Sequence, residues 1–314
     1  MGKNIFLILI VFLICSSCTK IVQEEFPDFA EKPVVNSLFI DGVPIQVYVS
    51  LTKKLDKTPL EGFDNAIIKL FEEERFIEVI PSVGKGMYKS SMLAKQGKQY
   101  ILEIEIKDFD KKILKASPPP QEKIVNIIHI NEAGVNNDGY TCPAFKITFT
   151  TDPTKKEYFQ IRADSWNSYY DYSEYSENSE IPPPRPLKKS PVQIINISDP
   201  ILLNESLPIL VFSNEKIKES VYTMYIEYDG NRGLKRINGV FKNVLCPLSI
   251  ELQSIDSAYY HYLKSAYLYE RGRTESSIGE VYSNYQLFSN IPGGYGLVGA
   301  YSVDKYDTIF PEGK

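Results

Sequence analysis

The sequence predicts a mainly β protein: an N-terminal immunoglobulin-like β-sandwich, then a larger antiparallel β domain with one α-helix in its C-terminal region. Three observations carry this prediction. Short apolar segments alternating with a period of two recur between turn signals, as in Ile45–Leu51, Tyr100–Ile106 and Ala144–Thr151. Among 314 residues there are 22 tyrosines against a single tryptophan, Trp166. Tyrosine couples β propensity to a polar tip, which suits half-buried strands and wet surfaces. Finally, helical spacing of apolar residues is clear only from about Ser257 to Arg271.

The chain opens MGKNIFLILIVFLICSSCTK. Lys3 precedes an unbroken apolar run, Ile5–Ile14, too short for a spanning helix, which needs about 20 apolar residues. This is the layout of a secretory signal. The small pair Ser16-Ser17 abuts Cys18, a pattern that resembles a bacterial lipoprotein signal. The resemblance implies cleavage after Ser17 and lipidation, such as palmitate, at Cys18. Cys15 follows bulky Leu13-Ile14 and stands where such signals usually carry Leu. The alternative is an ordinary signal cut after Ser16 or Ser17. Residues 1–17 are thus read as the signal and 18–33 as a polar, lipid-anchored tether. Gln23-Glu24-Glu25 in that tether resembles the acidic export tags of surface lipoproteins in Bacteroidota.

The sandwich is placed at residues 34–117. Val34–Phe39 opens it, Asp41-Gly42 signals a turn, and Ala66–Phe71 and Phe76–Ile80 flank Glu72-Glu73-Glu74-Arg75 as a hairpin. Gly84-Lys85-Gly86 leads into another strand, and Lys112–Ser117 completes the set. Pro118-Pro119-Pro120 then forms a stiff boundary, because proline cannot continue a central strand.

Residues 121–314 form the second domain. Lys123–Asn131, Ala144–Thr151 and Glu157–Asp164 read as antiparallel strands. Residues 166–191, rich in Tyr, Ser, Glu and Pro, read as a long exposed loop. Strands resume at Val192–Ile197, Ile209–Phe212, Val221–Tyr228 and Pro247–Gln253. Asp256 or Ser257 caps the helix, whose tyrosines 259, 262 and 267 are read as core, and Gly272 ends it. Glu280–Phe288 and a stretch from Gly296 to Val303 close the chain as strands.

Several stretches together resemble one family of Bacteroidota lipoproteins. They are Lys32-Pro33-Val34-Val35-Asn36-Ser37-Leu38-Phe39, Gly86-Met87-Tyr88 with Gly97-Lys98-Gln99-Tyr100, Ser254 to Leu263, and Gly294-Tyr295-Gly296-Leu297-Val298-Gly299-Ala300-Tyr301. The family is catalogued as domain of unknown function 4249, and the resemblance spans about residues 30–303. It implies an outer-membrane, lipid-anchored protein, often encoded beside TonB-dependent receptors, and brings no catalytic residues.

Chemical motifs are sparse. Gly-x-Ser-x-Gly is absent, and the only histidines are His129, in an apolar strand, and His261, on the helix. They offer neither a triad nor a metal-ligand spacing, so no metal and no cofactor are expected. Asn136-Asn137-Asp138-Gly139 reads as a turn. The formal net charge of −5 gives no electrostatic reason to bind nucleic acid. After export, Cys142 and Cys246 remain as one disulfide or as two buried thiols. Trp166, Tyr169, Tyr170, Tyr172 and Tyr175 are the binding candidates, set against a loop that contacts nothing specific. Asp307-Thr308-Ile309 matches an O-glycosylation acceptor pattern in what reads as an exposed tail, so Thr308 is a candidate modification site. The expectation is a non-catalytic outer-membrane lipoprotein, facing either the periplasm or the cell surface, serving as accessory or substrate-binding partner of a TonB-dependent uptake receptor. An envelope structural or adhesion lipoprotein with no transport role is the alternative.

Overall fold

The computed structural model describes residues 30–53, 61–136, 139–167, 188–237, 240–275 and 285–311. The described residues from Lys32 onward form one compact unit. The protein is mainly β: of the described residues, 52% lie in strands and 10% in helices. The first eight strands are β1 (Pro33–Ile40), β2 (Pro44–Leu51), β3 (Ile67–Glu72), β4 (Arg75–Val79), β5 (Ser82–Gly84), β6 (Met87–Leu93), β7 (Tyr100–Glu105) and β8 (Lys112–Ala116). Next come β9 (Ile124–Val135), β10 (Thr141–Thr150), β11 (Tyr158–Asn167), β12 (Lys188–Pro191), helix α1 (Pro200–Glu205), β13 (Val211–Ser213) and β14 (Val221–Glu227). The chain finishes with β15 (Arg232–Ile237), β16 (Val240–Leu245), β17 (Leu248–Ile255), helix α2 (Ser257–Glu275) and β18 (Tyr295–Lys305).

One large sheet unites these parts. Its order is β12-β11-β17-β18-β1-β2-β6-β5, with β13 also on β11. The seam is a parallel pairing of β1 with β18, in register from Val34↔Tyr295 to Ile40↔Tyr301. Every other named strand pair is antiparallel. At the seam Gly296 has φ +111°, and a Cβ there would stand 2.0 Å from the Val35 carbonyl oxygen. Only glycine lets the two backbones meet in this way.

Two smaller sheets pack on one face of the large sheet, as alternation demands. β4-β3-β7-β8 encloses the first core, in which Val35, Phe39, Val47 and Val49 meet Ile68, Leu70, Leu102 and Ile104. Val298 and Ala300 of β18 belong to that core as well, so the last strand completes the first sandwich. β14-β10-β9 encloses the second core, in which Phe145, Ile147 and Phe149 meet Phe159, Ile161, Ile250 and Leu252. Pro118-Pro119-Pro120 runs between the two, and the Pro119 carbonyl accepts a hydrogen bond from fully buried Ser302.

The tyrosine content has a structural use. Tyr88 buries its ring while its hydroxyl donates to the Phe63 carbonyl at 2.8 Å and accepts from the Ala66 N–H at 2.9 Å. Buried Tyr100 accepts from the Lys95 N–H at 3.0 Å. In each case a large apolar area is removed from water without stranding the hydroxyl.

Several expectations are corrected. Residues 192–197 are not a strand; only Ile194 bridges, to Tyr228. Tyr285–Phe288 carries no strand, and the rest of that stretch lies outside the described residues. α1 and the β15–β16 hairpin were not expected. α1 had a readable start: Asp199 accepts the Ile201 N–H at 2.9 Å, and Pro200 occupies the first turn. Asp307-Thr308-Ile309 is not a free tail, because Ile309 and Leu248 exchange backbone hydrogen bonds of 2.9 Å and Thr308 is half-buried.

Candidate functional site

On the face of the large sheet opposite the two cores lies α2, which packs on β18, β11 and β13. Three devices fix the helix there. At its start, Asp256 accepts the Tyr259 N–H at 2.8 Å while its own N–H donates to the Ala300 carbonyl at 2.9 Å. Burial pushes the Asp256 carboxyl up to about 6, against the lowering effect of the backbone donors around it. Below this first turn lies Gly299, where a Cβ would come within 3.2 Å of Tyr259 Cβ. A bare backbone therefore lets the helix settle, and Tyr259 stacks on Tyr301 with ring centroids 5.8 Å apart and planes 27° from parallel.

The second device is a buried ionic clamp. Glu205, the last residue of α1, accepts hydrogen bonds from Tyr260 Oη, from Lys264 Nζ at 2.9 Å and from the Ser213 N–H at 2.8 Å. Its side chain is 5% exposed. Burial pushes the carboxyl up, but the bonds from Tyr260, Lys264 and Ser213 outweigh it, so the group sits below its ordinary range. Burial and then Glu205 raise the Tyr260 hydroxyl. The third device lies on the far side of the helix, where Ser265 Oγ accepts the Phe288 N–H at 2.8 Å and His261 packs against Phe288.

Held this way, α2 is flanked by three grooves among the described residues. One of about 520 Å³ lies over β1 and β2 and is lined by Asn36, Gln46, Tyr48, Met87, Tyr259 and Tyr262. A second of about 580 Å³ lies over β11 and is lined by Gln160, Arg162, Asp164, Gln193 and Tyr267. The third, about 690 Å³, lies between α2 and the segment before β18, where His261, Lys264, Phe288 and Tyr295 line it. Such volumes lie within the range of about 300–1,000 Å³ common for ligand sites. Leu263 separates the first two grooves and contributes to both. In the second, Arg162 and Asp164 pair at 3.4 Å. Gln160 and its cross-strand neighbour Gln253 each present a buried side-chain oxygen without a hydrogen-bond partner.

Of the helical tyrosines expected as core, Tyr259 packs against a small core of Val211, Ile255 and Tyr260, while Tyr262 and Tyr267 do not belong to it. Tyr260 is buried, whereas Tyr259, Tyr262 and Tyr267 are half-buried and line grooves. A helix with tyrosines on several faces gives no periodic signal for which face meets the sheet. Tyr48 was missed for a related reason: on β2 it alternates with core valines and looks like ordinary outward-facing polarity.

Of the residues singled out from sequence, Trp166 belongs to β11, its backbone paired with Lys189. Tyr169, Tyr170, Tyr172 and Tyr175 lie outside the described residues, as does Cys18. Cys142 and Cys246 are both buried, and no disulfide joins them in this structure; burial pushes the Cys142 thiol up. His129 Nε2 lies 2.7 Å from Tyr228 Oη and its Nδ1 lies 2.9 Å from Asn131 Oδ1, which fits a structural role. The Gly139 N–H donates to the Asn136 carbonyl at 3.0 Å, and Asn137 and Asp138 lie outside the described residues. Among the described residues, no three His, Cys, Asp or Glu side chains are grouped to hold a metal ion. No helix among them is long and apolar enough to cross a membrane.

Fold and site together define a mainly β protein of sandwiched sheets, with a helix laid over the outer face of the shared sheet. The chain belongs to the family described as Domain of unknown function (DUF4249), whose model matches residues 19–307. No curated protein matches the chain in sequence.

Proposed function

We propose that the protein is a non-catalytic, lipid-anchored outer-membrane component that binds substrate or receptor for a TonB-dependent uptake system. The observation that carries this reading is the set of grooves flanking α2, above all the tyrosine-lined one over β1 and β2. Half-buried aromatic rings with polar tips, held on a rigid sheet, suit recognition. The lipoprotein-like signal ending at Cys18 supports the anchor, and the family resemblance supports the receptor partner.

The test has two parts. Changing Cys18 to Ala should move the protein from the membrane fraction to the soluble fraction. Affinity isolation of the anchored wild type should recover an outer-membrane receptor, and deletion should impair uptake of a nutrient. Retention of the Cys18→Ala variant in membranes would sink the anchor. Failure to recover a receptor, with uptake intact after deletion, would sink the transport role.

A further inference from the structure

We infer that the groove between α2 and strands β1–β2 takes an uncharged saccharide, with Tyr48 and Tyr262 packing on sugar faces and Gln46 and Asn36 engaging hydroxyls. The inference rests on the binding reading above and deepens it.

Charge is the first argument. The groove's lining includes no Asp, Glu, Lys or Arg. An ionic ligand would lose its hydration there and gain no counter-charge in return, which is unfavourable. The ligand is therefore neutral.

The second argument concerns which neutral polymer fits. An extended peptide is commonly recognised by adding a strand to a free sheet edge, so that backbone bonds supply affinity. Here the floor is pleated sheet with its edges already used. β1 is paired to β18 on one side and β2 on the other, and β2 is paired to β1 and β6. Recognition must come from side chains projecting off the sheet and helix. Those with polar or flat faces to offer are two exposed amides, Asn36 and Gln46, and the half-buried rings of Tyr48, Tyr259 and Tyr262, set among apolar side chains such as Val43, Met87 and Leu263.

The third argument is the division of labour among these groups. Planar amides donate and accept at once, matching a hydroxyl that does the same. Asn36 is already oriented, because its Oδ1 accepts the Leu297 N–H at 3.2 Å. Tyrosine rings offer flat apolar area to the C–H face of a sugar and a hydroxyl at the rim. Tyr259 is immobilised by its stack on Tyr301, which lowers the ordering cost on binding.

The experiment is calorimetric titration of the full-length lipidated protein in detergent. Probes are short neutral oligomers of glucose, mannose, galactose and xylose, with oligogalacturonate as charged control and a neutral Ala/Ser/Gly peptide as polymer control. At least one neutral oligosaccharide should bind and oligogalacturonate should not. Tyr48→Ala and Tyr262→Ala should each weaken binding by about tenfold, and Gln46→Ala by about threefold. Gln46 is exposed, so its variant reads the groove without threatening the fold. The inference is overturned if none of the neutral saccharides binds, or if binding is indifferent to all three substitutions. Peptide binding that is lost in Tyr262→Ala would overturn the saccharide class while leaving a binding protein. Saccharide binding with no recoverable receptor and with uptake intact after deletion would sustain this inference and refute the transport partnership.

Discussion

Replacing Glu205 with alanine tests whether α2 is held by one buried carboxylate. The substitution leaves Tyr260 Oη, Lys264 Nζ and the Ser213 N–H without the acceptor they share. Removing one partner of a buried pair typically costs about 3–5 kcal/mol. Lys264 retains 25% side-chain exposure and can turn toward water, so the lower end, about 3 kcal/mol, is expected. At about 2 °C per kcal/mol for a large domain, the melting temperature should fall by about 6 °C. The effect also has a pH signature. Because the folded carboxyl sits below its ordinary 4.5, its stabilisation is complete above that value. It is lost as pH falls through the lower folded value. Melting curves followed by circular dichroism from acid to neutral pH would show wild type and Glu205→Ala converging in acid and diverging near neutrality. The double variant Glu205→Ala/Lys264→Met should recover part of the loss, since it removes an ammonium left without its carboxylate. A single variant within about 1 °C of wild type at neutral pH, set against the size expected of a broken buried pair, would refute the clamp.

Other consequences are as direct. Asp256, with its folded carboxyl raised to about 6 from an ordinary 3.8, contributes with the opposite sign: its relative stabilisation is present in acid and lost as pH rises through about 6. The window is worth roughly 3 kcal/mol at 1.36 kcal/mol per tenfold change in proton affinity, and Asp256→Asn should abolish that dependence in a pH–stability profile. Gly296→Ala should destabilise by roughly 3 kcal/mol, because its Cβ would stand 2.0 Å from the Val35 carbonyl at a positive φ; an unchanged melting temperature would contradict the close β1–β18 approach. Cys142 and Cys246 should resist a thiol reagent in the native protein and both react once it is unfolded. Recovery of a bridged peptide by mass spectrometry would contradict the two buried thiols.

Local rules made part of this protein legible. The alternation in Ile45–Leu51 puts Ile45, Val47, Val49 and Leu51 on one face, and the first three are buried in the core while Leu51 packs against it, because a strand's two faces follow from period two alone. Asp256 before Ser257 announced the start of α2, because a cap needs only its own first turn. α1 is too short for periodicity to show, although its Asp-Pro start was present. The candidate site was largely illegible. Tyr262 and Tyr48 lie far apart in the chain, and nothing in either neighbourhood reveals that they share a groove.

Legible in the sequence alone were the β character, the faces of its strands, and the helix with its cap. All of these depend on residues within a turn or a few positions of one another. Only the tertiary structure decided that β1 and β18 lie side by side, joining both sandwiches through one sheet, and that α2 lies over that sheet's other face. Asn36 and Leu297, 261 residues apart, are brought into hydrogen-bond contact across that seam. Such pairings are selected by mutual fit: a bare Gly296 against Val35, a bare Gly299 under Tyr259, and a buried carboxylate at the end of α1. No local pattern encodes that fit, because each half of it lies in a different part of the chain.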